Sequence, residues 1–422
     1  MTCKKTINYL ESLLLEAEIK NYGRSLSKQD YIDRHFNLPI NKIYLNNVPC
    51  SATKEEILEL WELVFEKPPF KHQDPIAYGQ WKNIMDSIVS AAKEILPNTF
   101  VFEQIPCFDD LKSPIFASLE DEVFNARILY TSKNKEPIEP IILFHSGLFP
   151  VADILPRFFL EIIDPTGQQK QLTINLNNIH DDLYNKSVLI AFPYTIKYLL
   201  STNHLFGFPY PFEESTYSNF NHIYTYCILL FIAAHEYSHY LLKYKKLCYN
   251  DDIGMSAEEF GLSEEEWKDY DKAWQDELQA DGLAILLTLK AAHYRGFSKN
   301  NVCTGILLAI ITIDILTKAH MLKFGIYEDC MIPLSSTHPP TEYRIRRIAA
   351  TLFKSYEYND VIATYIQVAY KCLWHATRRH ILETELVFQE CGTKNYSMEQ
   401  FVKLLTDIVK SNINSRDIFG KS

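Results

Sequence analysis

The chain has 422 residues, 47% of them hydrophobic and 23% charged, enough to bury a sizeable core without disulfide staples and to form two to four domains at roughly 100–200 residues each. An aromatic content of 13% excludes a mainly disordered chain, and 13 Gly with 19 Pro exclude collagen-like and low-complexity classes. The net charge of −11, with basic residues clustered only at Arg344/Arg346/Arg347 and Arg378/Arg379, argues against a nucleic-acid partner and assigns both clusters to solvated helix faces.

In chain order, residues 1–100 read as a helical N-terminal region. Its first segment is an amphipathic helix, because Glu11, Glu16 and Glu18 interrupt the apolar stretch that a secretory signal would need. A 3.6-residue period runs through Ile57, Leu60, Trp61, Val64 and Phe65, and again through Ile84, Ile88, Ala91, Ala92 and Ile95. Pro68, Pro69 and Pro75 separate the two.

Residues 101–200 change character. Short apolar runs at 100–105, 126–130, 141–144, 158–163 and 188–192, and the alternation of Leu172, Ile174 and Leu176, predict a β-rich region with a mixed or mostly antiparallel sheet. The segment Asp164-Pro165-Thr166-Gly167 is a turn, with Pro fixing φ and Gly free to take φ > 0.

Beyond this region the pattern predicts helices near 218–245, 263–294, 300–324, 341–354, 359–387 and 397–412. The organisation expected is a candidate catalytic region at 201–355 and a helical C-terminal region at 356–422. The longest apolar runs, 223–234 and 306–313, fall short of the 18 or so residues of a membrane span. Nine cysteines with no Cys-x-x-Cys pair suit a reducing compartment, so a soluble, cytoplasmic protein with no membrane partner is expected. No Gly-x-Gly pair, P-loop or Gly-x-Ser-x-Gly elbow is present, which removes dinucleotide, phosphate-loop and serine-hydrolase readings.

Three motifs carry chemistry. The first is His235-Glu236-Tyr237-Ser238-His239 at the end of an apolar run. Histidines four apart share a helix face and can point at one Zn²⁺. Glu236 then lies beside the metal, where a base must be to take a proton from water. A helix with two hydrogen-bonded histidines beside a glutamate is the bland alternative, although about 0.03 such motifs arise by chance in a chain with 13 His.

The second motif, Glu277-Leu278-Gln279-Ala280-Asp281, puts two carboxylates on one face. Glu277 can be the third metal ligand, leaving one position open, and Asp281 can accept the outer N–H of a ligating histidine. Ala280 and Ala284 are small enough for close helix packing, whereas a plain acidic helix face is the alternative. The third is Ser336-Thr337-His338-Pro339, where Thr337 or Thr341 can cap the following helix, or His338 can hydrogen-bond a developing oxyanion or leaving group.

Together these motifs resemble those of the gluzincin metallopeptidases, most closely the CAAX prenyl-protease and bacterial heat-shock membrane-protease group, over roughly residues 220–350. The resemblance implies His235, His239 and Glu277 as zinc ligands, Glu236 as general base, Asp281 behind the ligands and His338 near the site. It also implies an α+β fold: a mainly helical, zincin-like metallopeptidase core with the β-sheet region and helical ends. Those relatives carry transmembrane helices, which this chain is expected to lack, so their substrate class does not transfer. The soluble phage-exclusion peptidases that cleave a translation factor are similar in motif. The expected activity is zinc-dependent hydrolysis of peptide bonds in an intracellular protein or peptide, with one Zn²⁺ per chain. A silent scaffold with the peptidase fold and a zinc hydrolase of a small amide are the alternatives. Substrate identity and oligomeric state are open from sequence.

Overall fold

A computed structural model describes residues 2–27, 29–31, 69–99, 111, 113–121, 124–163, 186–202, 218–244, 263–323, 338–356, 358 and 360–391. The α+β class holds, with long helices around one small mixed sheet. The period at Ile57–Phe65, the run at 100–105, the turn at 164–167, the alternation at 172–176 and the helix expected at 397–412 lie outside the described residues.

Helix α1 (Thr2–Tyr22) is amphipathic, and its buried stripe is Leu10, Leu14 and Ala17. After α2 (Pro75–Thr99) come the strands β1 (Ile115–Leu119), β2 (Ala126–Thr131) and β3 (Pro137–His145). Strand order is β1-β3-β2, with β1 parallel and β2 antiparallel to the central β3. Because β3 is covered on both faces, it reads as a continuous apolar run and not as an alternation. Side chains at odd positions, Ala117, Leu119, Ile141 and Leu143, pack on α1. Even positions turn to α2, where Trp81 stacks on Phe144 at 3.8 Å and Tyr78 on Phe116 at 5.1 Å. Among the described residues β2 pairs only with β3 and is an edge strand.

The runs at 158–163 and 188–192 are not strands. They belong to α3 (Leu148–Ile163) and α4 (Lys186–Thr202), each with an internal proline, Pro156 and Pro193. In α3 the polar residues Asp153, Arg157 and Glu161 recur every four positions, a helical period that reading the run at 158–163 by itself leaves out, and Asp153 and Arg157 are buried.

Four of the remaining helices fall close to their predicted places: α5 (Ser218–His239), α6 (Glu264–His293), α7 (Lys299–Lys323) and α8 (Thr341–Tyr356). The fifth, α9 (Asp360–Cys391), extends past its predicted end. A π-helical turn, Tyr240–Tyr244, prolongs α5 directly after His239. The expectation that no segment reaches membrane-spanning length is corrected for α7. Its stretch Lys299–Met321 is long and apolar enough, and 83% of it is buried in the fold, as in a core helix. Counting unbroken apolar runs missed it because Thr304 and Asp314 interrupt the count while being buried themselves.

The chain divides into two compact units. Unit 1 comprises Met1–Asp153, Asn219–Ile310 and Pro333–Asn359, and unit 2 comprises Ile154–Ser218, Ile311–Ile332 and Asp360–Ser422. The sheet, α5, α6 and α8 thus belong to one unit although they come from three separate stretches of chain. Within unit 1, α5 is seated against the start of α7 at Gly305. A Cβ there would lie 2.3 Å from the Cβ of Cys227, so only glycine permits that approach.

Candidate metal centre

The apolar run ahead of His235 is buried: Cys227 to Leu230, Ala233 and Ala234 are all at 0% exposure. It anchors α5 so that one turn at its end projects His235 and His239 from a fixed backbone. Their Nε2 atoms are 3.1 Å apart, with the rings nearly perpendicular at 87°. Glu277, on α6, brings its carboxylate to the same point. Oε1 is 3.1 Å from His239 Nε2, and Oε2 is 3.4 Å from His235 Nε2. The three side chains offer ligand atoms within 4.8 Å of one another and could hold a metal ion. Glu277 Oε2 is buried and makes no hydrogen bond among the described residues, as expected of a donor aimed at an ion.

Behind this triangle the sites are filled. His235 Nδ1 lies 3.0 Å from Asp281 Oδ1, which sets the carboxylate behind the ring and leaves Nε2 facing Glu277, although the contact lacks hydrogen-bond geometry. Asp281 is itself held by a buried guanidinium: Arg344 Nε and Nη2 donate to its two oxygens at 2.8 and 2.7 Å. Burial opposes charge on His235, but Asp281 and Glu277 outweigh it and hold its pKa up to about 10. Burial also opposes charge on Asp281, yet Arg344 and His235 keep its pKa down, at about 2. For Glu277 the two histidines overcome burial and hold the carboxyl well below the usual range.

Glu236, next to His235 on α5, is 9% exposed and lines the cleft in front of the triangle. Burial raises its pKa, partly offset by His235 and His239. A base moved up toward neutrality accepts a proton more readily. His338 also reaches the site. Its Nε2 is 3.5 Å from Glu277 Oε1, and its side chain, 53% exposed, forms part of the cleft wall. Thr341 is not the cap that the sequence suggested. The Arg344 N–H bonds to the Pro340 carbonyl at 3.2 Å, so Thr341 is already inside the helix, and Thr337 lies outside the described residues.

All six expected site residues therefore meet in unit 1. Two participants were not foreseen. Arg344 was assigned to a solvated face but is buried, whereas Arg346, two residues on, has a side chain 76% exposed. The available signal was Arg344-Ile348-Leu352, an i, i+4, i+8 stripe shared with two core residues. Tyr130, on β2, donates its hydroxyl to the His239 carbonyl at 3.1 Å and ties the edge strand to the metal helix. Burial, reinforced by the Glu236 and Asp276 carboxylates, pushes its pKa up, so it stays a donor.

The cleft has a volume of about 770 Å³ and runs along β2 past the triangle. No protein-family model matches the chain, and neither does any curated protein or any solved structure.

Proposed function

We propose that the chain is a zinc-dependent endopeptidase. The observation that carries this is the donor triangle with sides of 3.1, 3.4 and 3.1 Å. Tetrahedral Zn²⁺ with ligands at about 2.0–2.2 Å spaces them about 3.3 Å apart, so the ion fits with little movement. The donor chemistry agrees, since two imidazoles and one carboxylate leave a fourth position open, as in hydrolytic zinc sites. The motifs that resemble gluzincin peptidases supply the same residues.

Zinc, when bound, supplies Lewis acidity and makes a water molecule acidic enough to lose its proton near pH 7. Glu236 takes that proton and later delivers it to the departing amine, a role its burial and raised pKa favour. His338, at the cleft wall, donates to the oxygen on which charge develops. Asp281 and Arg344 hold His235 in the ligating tautomer. A peptide is held as an added strand on the edge of β2 that pairs with no described strand, where Ala126, Ile128 and Tyr130 line the cleft. The free thiols of Cys227, Cys303 and Cys372 fit an intracellular setting.

The test is metal content together with proteolysis of casein and of a peptide library. Wild type should carry one zinc per chain and lose activity with phenanthroline. Glu236→Gln should keep zinc while turnover falls by roughly 10²–10⁴. Glu277→Ala should lose zinc. Near-normal proteolysis by Glu236→Gln, or stoichiometric zinc in Glu277→Ala, would overturn the assignment.

A further inference from the structure

The rim of the cleft carries a charge pattern opposite to that of the whole chain. Setting aside the donors and Glu236, its charged residues are Arg127 on β2, Lys243 in the π turn, Lys272 on α6 and one carboxylate, Asp276. With Glu236 and Glu277 counted, three cations and three carboxylates line the cleft, and a divalent ion held by the donors would leave it net positive in a protein of net charge −11. Neither Arg127 nor Lys272 forms a hydrogen bond or ion pair with any described residue, Asp276 included. Lys243 is placed by a ring, its Nζ lying 4.6 Å from the centroid of Tyr130. Arg127 and Tyr130 are three positions apart on the edge strand, about 10 Å, so cations stand at both ends of the segment that a bound strand would cover.

We infer that the cleft selects peptide segments bearing Asp or Glu on both sides of the bond to be cut. This rests on the proposed metal for the binding and on the peptidase reading for the cutting. Carboxylates there would meet cations that pair with no described residue, and the acidic body of the protein would repel the same peptide elsewhere. A cleft of net positive charge concentrates anions and raises their association rates. A basic peptide would be drawn to the remaining surface and repelled from the rim.

Binding is measured by fluorescence anisotropy on the zinc-loaded Glu236→Gln chain, with labelled peptides of alternating Glu-Ala, Gln-Ala and Lys-Ala. The Glu-Ala peptide should bind at least about tenfold tighter than Gln-Ala at low salt, and the advantage should shrink as salt rises. The triple reversal Arg127→Glu/Lys243→Glu/Lys272→Glu should abolish the advantage, and the corresponding triple Gln variant should reduce it. Circular dichroism and the zinc content of both variants verify folding. Equal affinity for the three peptides overturns the inference. So does an acidic preference that survives the triple reversal, which would mean that peptide carboxylates simply ligate the metal. Mass spectrometry of the same peptides with wild type separates the two ideas. An acidic preference in binding with no cleavage of any peptide or of casein leaves this inference standing and removes the peptidase reading.

Discussion

Two buried charge clusters in this molecule are built on opposite plans. In unit 2, Asp314 is 1% exposed and answered from within: Lys318 Nζ lies 3.1 Å away, one helical turn along α7, and the Tyr370 hydroxyl donates to the same carboxylate. Lys318 in turn donates to Tyr370 at 2.8 Å and lies over the rings of Tyr370 and Trp374. In unit 1, His235, His239 and Glu277 bring two nitrogens and a carboxylate to one point, and the nearest guanidinium, Arg344, is engaged with Asp281 behind them. The first cluster is complete and therefore structural. The second brings three ligand-type atoms within 4.8 Å of one another and could hold a metal ion, which the first could not.

The sharpest way to break this contrast is to make the complete cluster incomplete. Lys318→Met strands a buried carboxylate and should cost about 3–5 kcal/mol in chemical denaturation, while Asp314→Leu with Lys318→Met should recover most of that loss. Zinc affinity should not change in either variant. A change there would mean that the two clusters are not independent.

The converse completes the incomplete cluster. Zinc at a hundredfold excess over its Kd should stabilise the metal-free chain by about 2.7 kcal/mol in a thermal melt, and His235→Ala/His239→Ala should show no such gain. An equal gain in that double variant would place the ion elsewhere.

Asp281 tests the support behind the ligands. Asp281→Asn should weaken zinc binding about 10–100-fold, measured by competition with a chelator. The same carboxylate sets an acid limit on the metal-free chain. Its pKa in the fold, about 2, lies below its ordinary value, so its contribution is present above about pH 4 and is lost as pH falls through 2. That limb amounts to about 2 kcal/mol and should be missing from the pH–stability curve of the Asn variant.

How much of this was legible in the sequence follows from how local each feature is. His235, Glu236 and His239 lie within one helical turn, so their shared face could be read from spacing alone. Glu277 and Asp281 are picked out by their shared helix face and the need for a third ligand and an acceptor behind it, and their distance from the histidines only the fold could supply. Arg344 was hidden because its neighbours Arg346 and Arg347 made the segment look like an ordinary charged face. Tyr130 left no trace, because its contact with residue 239 spans 109 positions and depends on which strand ends up at the sheet edge. The helix α3, by contrast, is legible: Asp153, Arg157 and Glu161 recur every four positions, but the run at 158–163 read alone leaves out the residues before it.

Tyr130 gives the smallest expected effect and the finest test. Tyr130→Phe removes the hydroxyl that reaches the His239 carbonyl but keeps the ring beneath Lys243. One neutral hydrogen bond is lost, so stability should fall by about 1 kcal/mol. Zinc affinity should stay within about threefold of wild type, because the bond touches the backbone of a ligand and not its imidazole. If β2 is the edge that holds substrate, loosening its tie to α5 should raise KM for peptides more than it lowers kcat, since the reacting groups on α5 and α6 are untouched. An unchanged KM with a collapsed kcat would instead put the Tyr130 hydroxyl among the groups that stabilise the transition state, and the incomplete cluster would then extend across the cleft to the sheet.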